Sequence, residues 1–200
     1  MSRYTGPRLR VIRALGVSLP GLTSKSFEKK PHPPGQHGRT SRRKVSLYGT
    51  RLREKQKLRF HYGLTERQLR AVAEYAARRR GNTAGLIVEQ LELRLDNVVF
   101  RAGFARANAA SRQLVRHGHV SVNGRVLDIP SARVRRGDVV AVRESGQKAV
   151  RTQKERGEVL ARPEWLDVDG DALTVRVVAV PDVTAIPFPI EMQLVIEFYS

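Results

Sequence analysis

The 200-residue sequence contains no cysteine. Disulfides, thiolate nucleophiles and cysteine-based zinc sites are thereby excluded, since each needs sulfur. No apolar run approaches the roughly 20 residues needed to cross a bilayer as a helix. Arg8, Arg10 and Arg13 interrupt the apolar core that a secretory signal would carry near the N-terminus. The glycines never assemble into a nucleotide-binding phosphate loop. A nucleophile or general base needs a positioned partner, and the five histidines suggest none. His32 and His37 sit among prolines and arginines, and His61 flanks a basic segment. His117 and His119 straddle Gly118, without the nearby carboxylates or further histidines that would complete a zinc set. The expectation is no catalytic residue, no cofactor, no metal and no small-molecule substrate.

Acidic residues are also scarce, 19 against 37 Lys and Arg, for a formal charge of +18 and a pI near 11.3. A chain this basic should have anionic partners. Residues 1–60 hold sixteen Lys and Arg against Glu28 and Glu54, a balance of +14, and residues 61–160 hold nineteen against ten. Residues 161–200 reverse sign, with Arg162 and Arg176 against seven acids. Polyanion binding by the first half explains this gradient, and the acidic end could meet another basic protein. A membrane surface would call for a large apolar face beside the charge. The first sixty residues offer only scattered leucines.

Apolar content of 40% supports a modest core in one or two domains. Residues 1–46 are rich in Gly, Pro, Ser and basic side chains and read as a basic extended arm. Pro31, Pro33 and Pro34 disfavour helix and lead to a Gly35–Gly38 turn. Such an arm loses more conformational entropy on ordering than it can offset by burial, so it should order mainly against a partner. A helix is expected over residues 47–62, with Arg51, Lys55 and Arg59 on one ridge that needs something negative opposite. Thr65 and Gln68 fit a capping box ahead of an apolar stripe at Leu69, Val72, Ala73 and Ala76. Arg78, Arg79 and Arg80 suit that helix's C-terminal dipole.

The most informative stretch runs from Leu93 to Gly124. Ile87, Leu91, Leu95 and Val98 predict one apolar helical stripe. Arg94, Asn97 and Arg101 fall on a different, outward face. After Gly103 a second helix turns Ala107, Ala110 and Leu114 inward, with Arg112 and Arg116 one turn apart on another face. Residues 119–122 alternate as a strand, and Asn123-Gly124 is a strong hairpin signal. Val126 and Ile129 extend the returning strand to Pro130, and Val139–Val142 reads as a buried strand. Residues 145–158 read as a polar surface loop. Asp169-Gly170 turns into a strand over 173–180, residues 182–189 form a return linker, and Leu194, Ile196 and Phe198 close the chain by strand-like alternation.

The strings RLDNVVFRAGFA and SRQLVRHGHVSVNG resemble the RNA-binding module named after small-ribosomal-subunit protein four. That module also occurs in RNA-modifying enzymes, a tyrosyl-tRNA synthetase and a heat-shock protein, so alone it implies structured RNA. Three further stretches resemble the ribosomal family itself, in its bacterial or organellar form. They are RYTGPRLRVIR, FEKKPHPPGQHGR with YGTRLREKQKLRFHYGLTERQL, and EMQLVIEFYS. The resemblance implies an α+β fold: a mostly helical first domain, from the N-terminal part plus the C-terminal tail, with a small helix-and-sheet RNA-binding module inserted. In residue numbers, the arm is 1–46, the helical domain 47–92 completed by 182–200, and the inserted domain 93–181, its core module at about 93–157. Some members carry an N-terminal cysteine cluster that binds metal, and this chain departs from them.

The implied function is that of a structural component of the small ribosomal subunit. It would bind small-subunit rRNA directly and nucleate early assembly at a multi-helix junction of the 5′ domain. It would contribute to translational accuracy where messenger RNA enters. The implied partners are rRNA, neighbouring small-subunit proteins and messenger RNA, with a cytoplasmic, ribosome-bound location and an organellar ribosome as the alternative. Candidate RNA-contacting residues are Arg94, Arg101, Arg106, Arg112 and Arg116 in the module. In the first domain they are Arg3, Arg8, Arg10, Arg39, Arg42, Arg43, Arg51, Lys55 and Arg59, with Tyr4 as a stacking residue. Two rival readings are weaker. An RNA-modifying enzyme needs a catalytic domain that forty residues after position 160 cannot supply, and a free RNA chaperone leaves the resemblance at both termini unexplained.

Overall fold

The computed structural model describes residues 4–40, 45–155, 157 and 160–200. The chain is α+β and divides into two compact units, Met1–Ile87 with Ile186–Ser200, and Val88–Ala185.

The first unit is helical. Helix α1 (Arg8–Leu15) lies in the stretch read as extended, and corrects that reading. Its Val11 and Ile12 are buried, and Leu19 beyond it is fully buried. These three apolar positions are too few for a periodicity to register, yet fully burying each contributes about 1.5–3 kcal/mol. Helix α2 (Leu47–His61) starts on Ser46, whose hydroxyl accepts from the Gly49 N–H. The capping box at Thr65 and Gln68 is present and opens α3 (Glu66–Ala77). Asn82 Oδ1 accepts from the N–H groups of Ala84 and Gly85 and opens α4 (Thr83–Glu92), the helix in which the two units meet in sequence.

In the second unit, α5 (Leu95–Arg101) follows α4 directly. One continuous helical stripe was expected here, and the structure breaks it. Arg94 is extended (φ −69°, ψ 138°) and forms a β-bridge with Arg133. The Val134 N–H donates to Leu93 O, and those of Leu95 and Asp96 donate to Ala132 O and Pro130 O. A crossing strand-like segment thus takes over the hydrogen bonds that would have continued the helix, something local periodicity cannot register. Next come α6 (Asn108–Arg116), β1 (Val120–Val122), β2 (Arg125–Val126), β3 (Val139–Val142), α7 (Glu144–Lys154), β4 (Leu166–Asp169) and β5 (Thr174–Val177).

The sheet is antiparallel in the order β2-β1-β3-β5-β4. Val120, Val140, Val142, Leu166, Val175 and Val177 enter one core with Val98, Val99, Phe104, Leu114 and Trp165. The partners Ser121↔Ala141 and Val139↔Arg176 fall on the alternate face. Two strand expectations and one loop expectation change. Strand β2 ends at Val126, and Ile129 is exposed. Strand β5 ends at Val177. The stretch read as a loop contains α7, held by tertiary contacts invisible to periodicity. Val150 is fully buried, Lys154 Nζ donates to Gly170 O, and Gln153 Oε1 accepts from the Arg106 N–H.

A short 3₁₀ turn (Val183–Ala185) leads back to the first unit. The chain closes there in helix α8 (Met192–Tyr199), not in a strand. Met192 and Val195 are its buried positions, a helical spacing masked by the apolar residues at nearly every other place. Helix α8 lies against α2 and α3.

Candidate nucleic-acid interface

On α2 the ridge Arg51, Lys55, Arg59 has its negative counterpart inside the protein. Arg51 Nη2 meets Glu197 Oε2 of α8 at 2.7 Å, and Lys55 Nζ meets Glu66 Oε2 of α3 at 2.7 Å. Lys55 is only 4% exposed, with its ammonium over the Phe198 ring. Arg59 donates to Gln56 Oε1 and lies over Phe60. The ridge therefore knits helices together; the exposed basic residue of α2 is Arg53, which is absent from the candidates. Burial pushes the Glu66 carboxyl up, but hydrogen bonds from Lys55 and Tyr199, with the charges of Lys55 and Arg59, outweigh it and hold the carboxyl below its usual range. Tyr199 is pushed up by its own burial and by Glu66.

The proline segment has an organiser that its composition did not reveal. Arg13 Nε donates to Lys30 O and His32 O at 3.1 Å each, and Nη2 to Pro33 O at 3.4 Å. The Gly35–Gly38 turn closes through the Gly38 N–H and Gly35 O at 3.2 Å. A Cβ at position 38 would stand 1.9 Å from Pro33 O, so only glycine fits. Arg8 Nη1 donates to Leu22 O. Arg10 and Arg39 are exposed, and Tyr4 is 44% exposed with its ring edge-on to Phe60. Arg3, Arg42 and Arg43 lie outside the described residues.

In the second unit the outward placement expected for Arg94 and Arg101 is corrected: they are 7% and 5% exposed. Arg94 forks onto Asp96, Nε to Oδ1 at 3.0 Å and Nη2 to Oδ2 at 2.8 Å. Arg112 Nη1 reaches the same Oδ2 at 3.6 Å. Arg101 Nε approaches Oε2 of the fully buried Glu92 at 3.4 Å, while its Nη2 donates to Ala185 O at 2.6 Å. Asn97 Nδ2 bonds Glu92 Oε2 and Glu92 O. Together these side chains lock the α4–α5 break. Arg106 is half-buried, and its Nε has no hydrogen-bond partner among the described residues. Arg116 on α6 is exposed.

Arg125, Arg135 and Arg136 were not candidates because they sit in turns and a two-residue strand, where no helical spacing could single them out. All three are exposed. Among the described residues no group of three or more metal-ligating side chains forms, and no helix is long and apolar enough to cross a membrane.

With this geometry in hand, comparison with known proteins is direct. The family described as "Ribosomal protein S4/S9 N-terminal domain" matches residues 3–92, and "S4 domain" matches residues 93–140. The small ribosomal subunit protein uS4 of Methylobacillus flagellatus is 48% identical over all of this chain and 98% of its own length. That of Akkermansia muciniphila is 49% identical and that of Rubrobacter xylanophilus 46%, each over the full length of both chains. The chain belongs to the uS4 family. This is a family of structural ribosomal proteins and not of enzymes. The uS4 match changes from one domain to the other at Leu93, where α4 gives way to the Arg94 bridge.

Proposed function

We propose that this chain is a component of the small ribosomal subunit that binds small-subunit rRNA directly through both units. The observation that carries the reading is the fate of its positive charge. Arg10, Arg39 and Arg53 in the first unit and Arg116 in the second are exposed, and among the described residues their guanidiniums take no hydrogen bond or ion pair. In a chain of charge +18 such groups are ready to displace counterions from phosphates. A-form RNA hides its base edges in a deep, narrow groove, so recognition rests on backbone spacing, shape and 2′-hydroxyls.

The direct contacts are assigned to Arg10, Arg39, Arg106, Arg112 and Arg116, with Tyr4 available for stacking and Arg3, Arg42 and Arg43 in the basic arm. Arg94, Arg101, Arg51, Lys55, Arg59 and Arg8 serve by holding the RNA-facing elements in shape. Two units touching different helices would let one protein organise a multi-helix junction early in assembly. A ribosome-bound, cytoplasmic location, contacts with neighbouring small-subunit proteins and messenger RNA, and a contribution to decoding accuracy belong to the same proposal. They are supported by membership of the uS4 family.

The test is co-sedimentation with small subunits in high salt, together with binding to a transcript of the rRNA 5′ domain across a salt series. One copy per subunit and a steep salt dependence, as for ~6–10 phosphate contacts, are the expected results. A flat salt response overturns the proposal.

A further inference from the structure

The end of the sheet that carries the β1–β2 hairpin and the turn before β3 is built as a small platform. Asn123 (φ 49°) and Gly124 (φ 79°) form the two-residue turn, with Val122 opposite Arg125. The Asn123 side chain is not spent within its own turn. Its Nδ2 donates to Asp138 Oδ1 at 2.9 Å, and its Oδ1 accepts from the Val139 N–H at 2.9 Å. The other Asp138 oxygen accepts from the Arg135 N–H at 2.7 Å, and the Asp138 N–H closes the turn on Arg135 O at 3.0 Å. Gly137 N–H donates to Val177 O, which ties the same turn to β5. Two loops separated in sequence are thus stapled into one rigid end.

Arg125, Arg135 and Arg136 stand on this platform, exposed, and among the described residues their guanidiniums make no hydrogen bond or ion pair. Asp138, the carboxylate inside the platform, has both oxygens engaged by Asn123 and by the Arg135 backbone. We infer that Arg125, Arg135 and Arg136 form a second phosphate-binding surface of the inserted domain, distinct from Arg112 and Arg116 on α6, and that its ligand is the sugar–phosphate backbone of RNA. The inference rests on the RNA-binding reading above and adds a site to it.

Two reasons favour RNA over an acidic protein. Guanidinium forks match phosphate oxygens in pairs, and a backbone whose charge recurs at short intervals can satisfy three of them together. Protein interfaces bury apolar side chains at their centres. Val126, the exposed apolar neighbour of Arg125, points to the opposite face because successive strand residues alternate. The staple also limits the entropy lost on binding, since the backbone that carries the arginines is already fixed.

The test uses the full-length chain and a 5′-domain transcript of small-subunit rRNA. The triple variant Arg125→Gln, Arg135→Gln, Arg136→Gln should keep the wild-type circular-dichroism spectrum and bind more weakly. Its slope of log affinity against log salt should be shallower by about two, at roughly 0.7–0.9 for each phosphate no longer neutralised. The matching Lys variant keeps the charge and should retain the wild-type slope. If the Gln triple does not fold, Arg136→Gln alone carries the test, with a slope shallower by about 0.7–0.9 expected. An unchanged slope in a folded variant overturns the inference, while the broader RNA-binding reading stands or falls on the wild-type slope. Normal RNA affinity with loss from assembled subunits would also overturn it, and would assign the surface to an acidic protein neighbour.

Discussion

Within the second unit, arginine is used in two opposite ways. Arg94 and Arg101 are buried, one forked onto Asp96 and the other shared between Glu92 and Ala185 O. Arg116, Arg135 and Arg136 are exposed, and among the described residues their guanidiniums form no ion pair. The first unit repeats the contrast on a single helix: Arg51 and Lys55 meet Glu197 and Glu66, while Arg53, between them, is exposed. The lesson is that a guanidinium's role follows from the carboxylate within its reach. A buried arginine of this kind shapes the surface on which the exposed ones are displayed, so fold and affinity should respond to different substitutions.

The sharpest way to break that separation is at Glu92. Glu92→Gln removes the charge that faces Arg101 in a site closed to solvent, and leaving a buried cation uncompensated costs about 3–5 kcal/mol. Trp165, the single tryptophan, lies in the core of the same unit and reports its unfolding directly. The expected outcome is a large drop in the urea midpoint followed by Trp165 fluorescence. An unaltered midpoint would mean that the buried network is not what holds the α4–α5 break. Arg94→Ala should follow at about 1.5–3 kcal/mol, less than Glu92→Gln because Arg112 already reaches Asp96. Its RNA salt slope should match wild type in the same assay, and a shallower slope would return Arg94 to the set of direct contacts.

Where sequence reading worked, the signal was local. The Thr65–Gln68 box, the Asn123-Gly124 turn and the β3 strand each depend on residues within a few positions of one another. Where it failed, a distant segment decided. The α4–α5 helix breaks because residues 130–134 cross it, α7 forms because Val150 has a core to enter, and α8 is helical although its residues also alternate. The candidate site divides along the same line. The spacing that placed Arg51, Lys55 and Arg59 on one ridge identified the ridge correctly, but the acids opposite it come from positions 66 and 197. Turn arginines have no spacing to read, and only contacts between segments distant in sequence join the hairpin and the turn that carry them.

The first unit offers a smaller and pH-dependent test. Glu66 titrates below its ordinary value of 4.5 in the folded chain, so ionised Glu66 favours folding. That contribution is complete above pH 4.5 and is lost as the pH falls through the lowered native value. Glu66 is 38% exposed, so solvent screens the pair, and Lys55→Met should cost about 1 kcal/mol at neutral pH. Below the native titration the Lys55→Met and wild-type urea midpoints should converge. A gap of constant size from neutral to acid pH would show that Lys55 acts through its packing on Phe198 and not through its charge.

The smallest effect on stability should come from Arg116 on α6, a proposed RNA contact. Arg116 is exposed and partnerless among the described residues, so Arg116→Ala removes no internal contact. Its unfolding free energy in urea should change by no more than about 0.5 kcal/mol. The salt slope for rRNA should nevertheless become shallower by about 0.7–0.9, the share of one phosphate. Arg112→Ala, one turn earlier, is the internal control. Its guanidinium lies 3.6 Å from Asp96, so it should move both stability and slope. If Arg116→Ala instead lowers stability as much as Arg94→Ala does, exposure is a poor guide to function in this unit, and the division between arginines that shape the surface and arginines that use it fails.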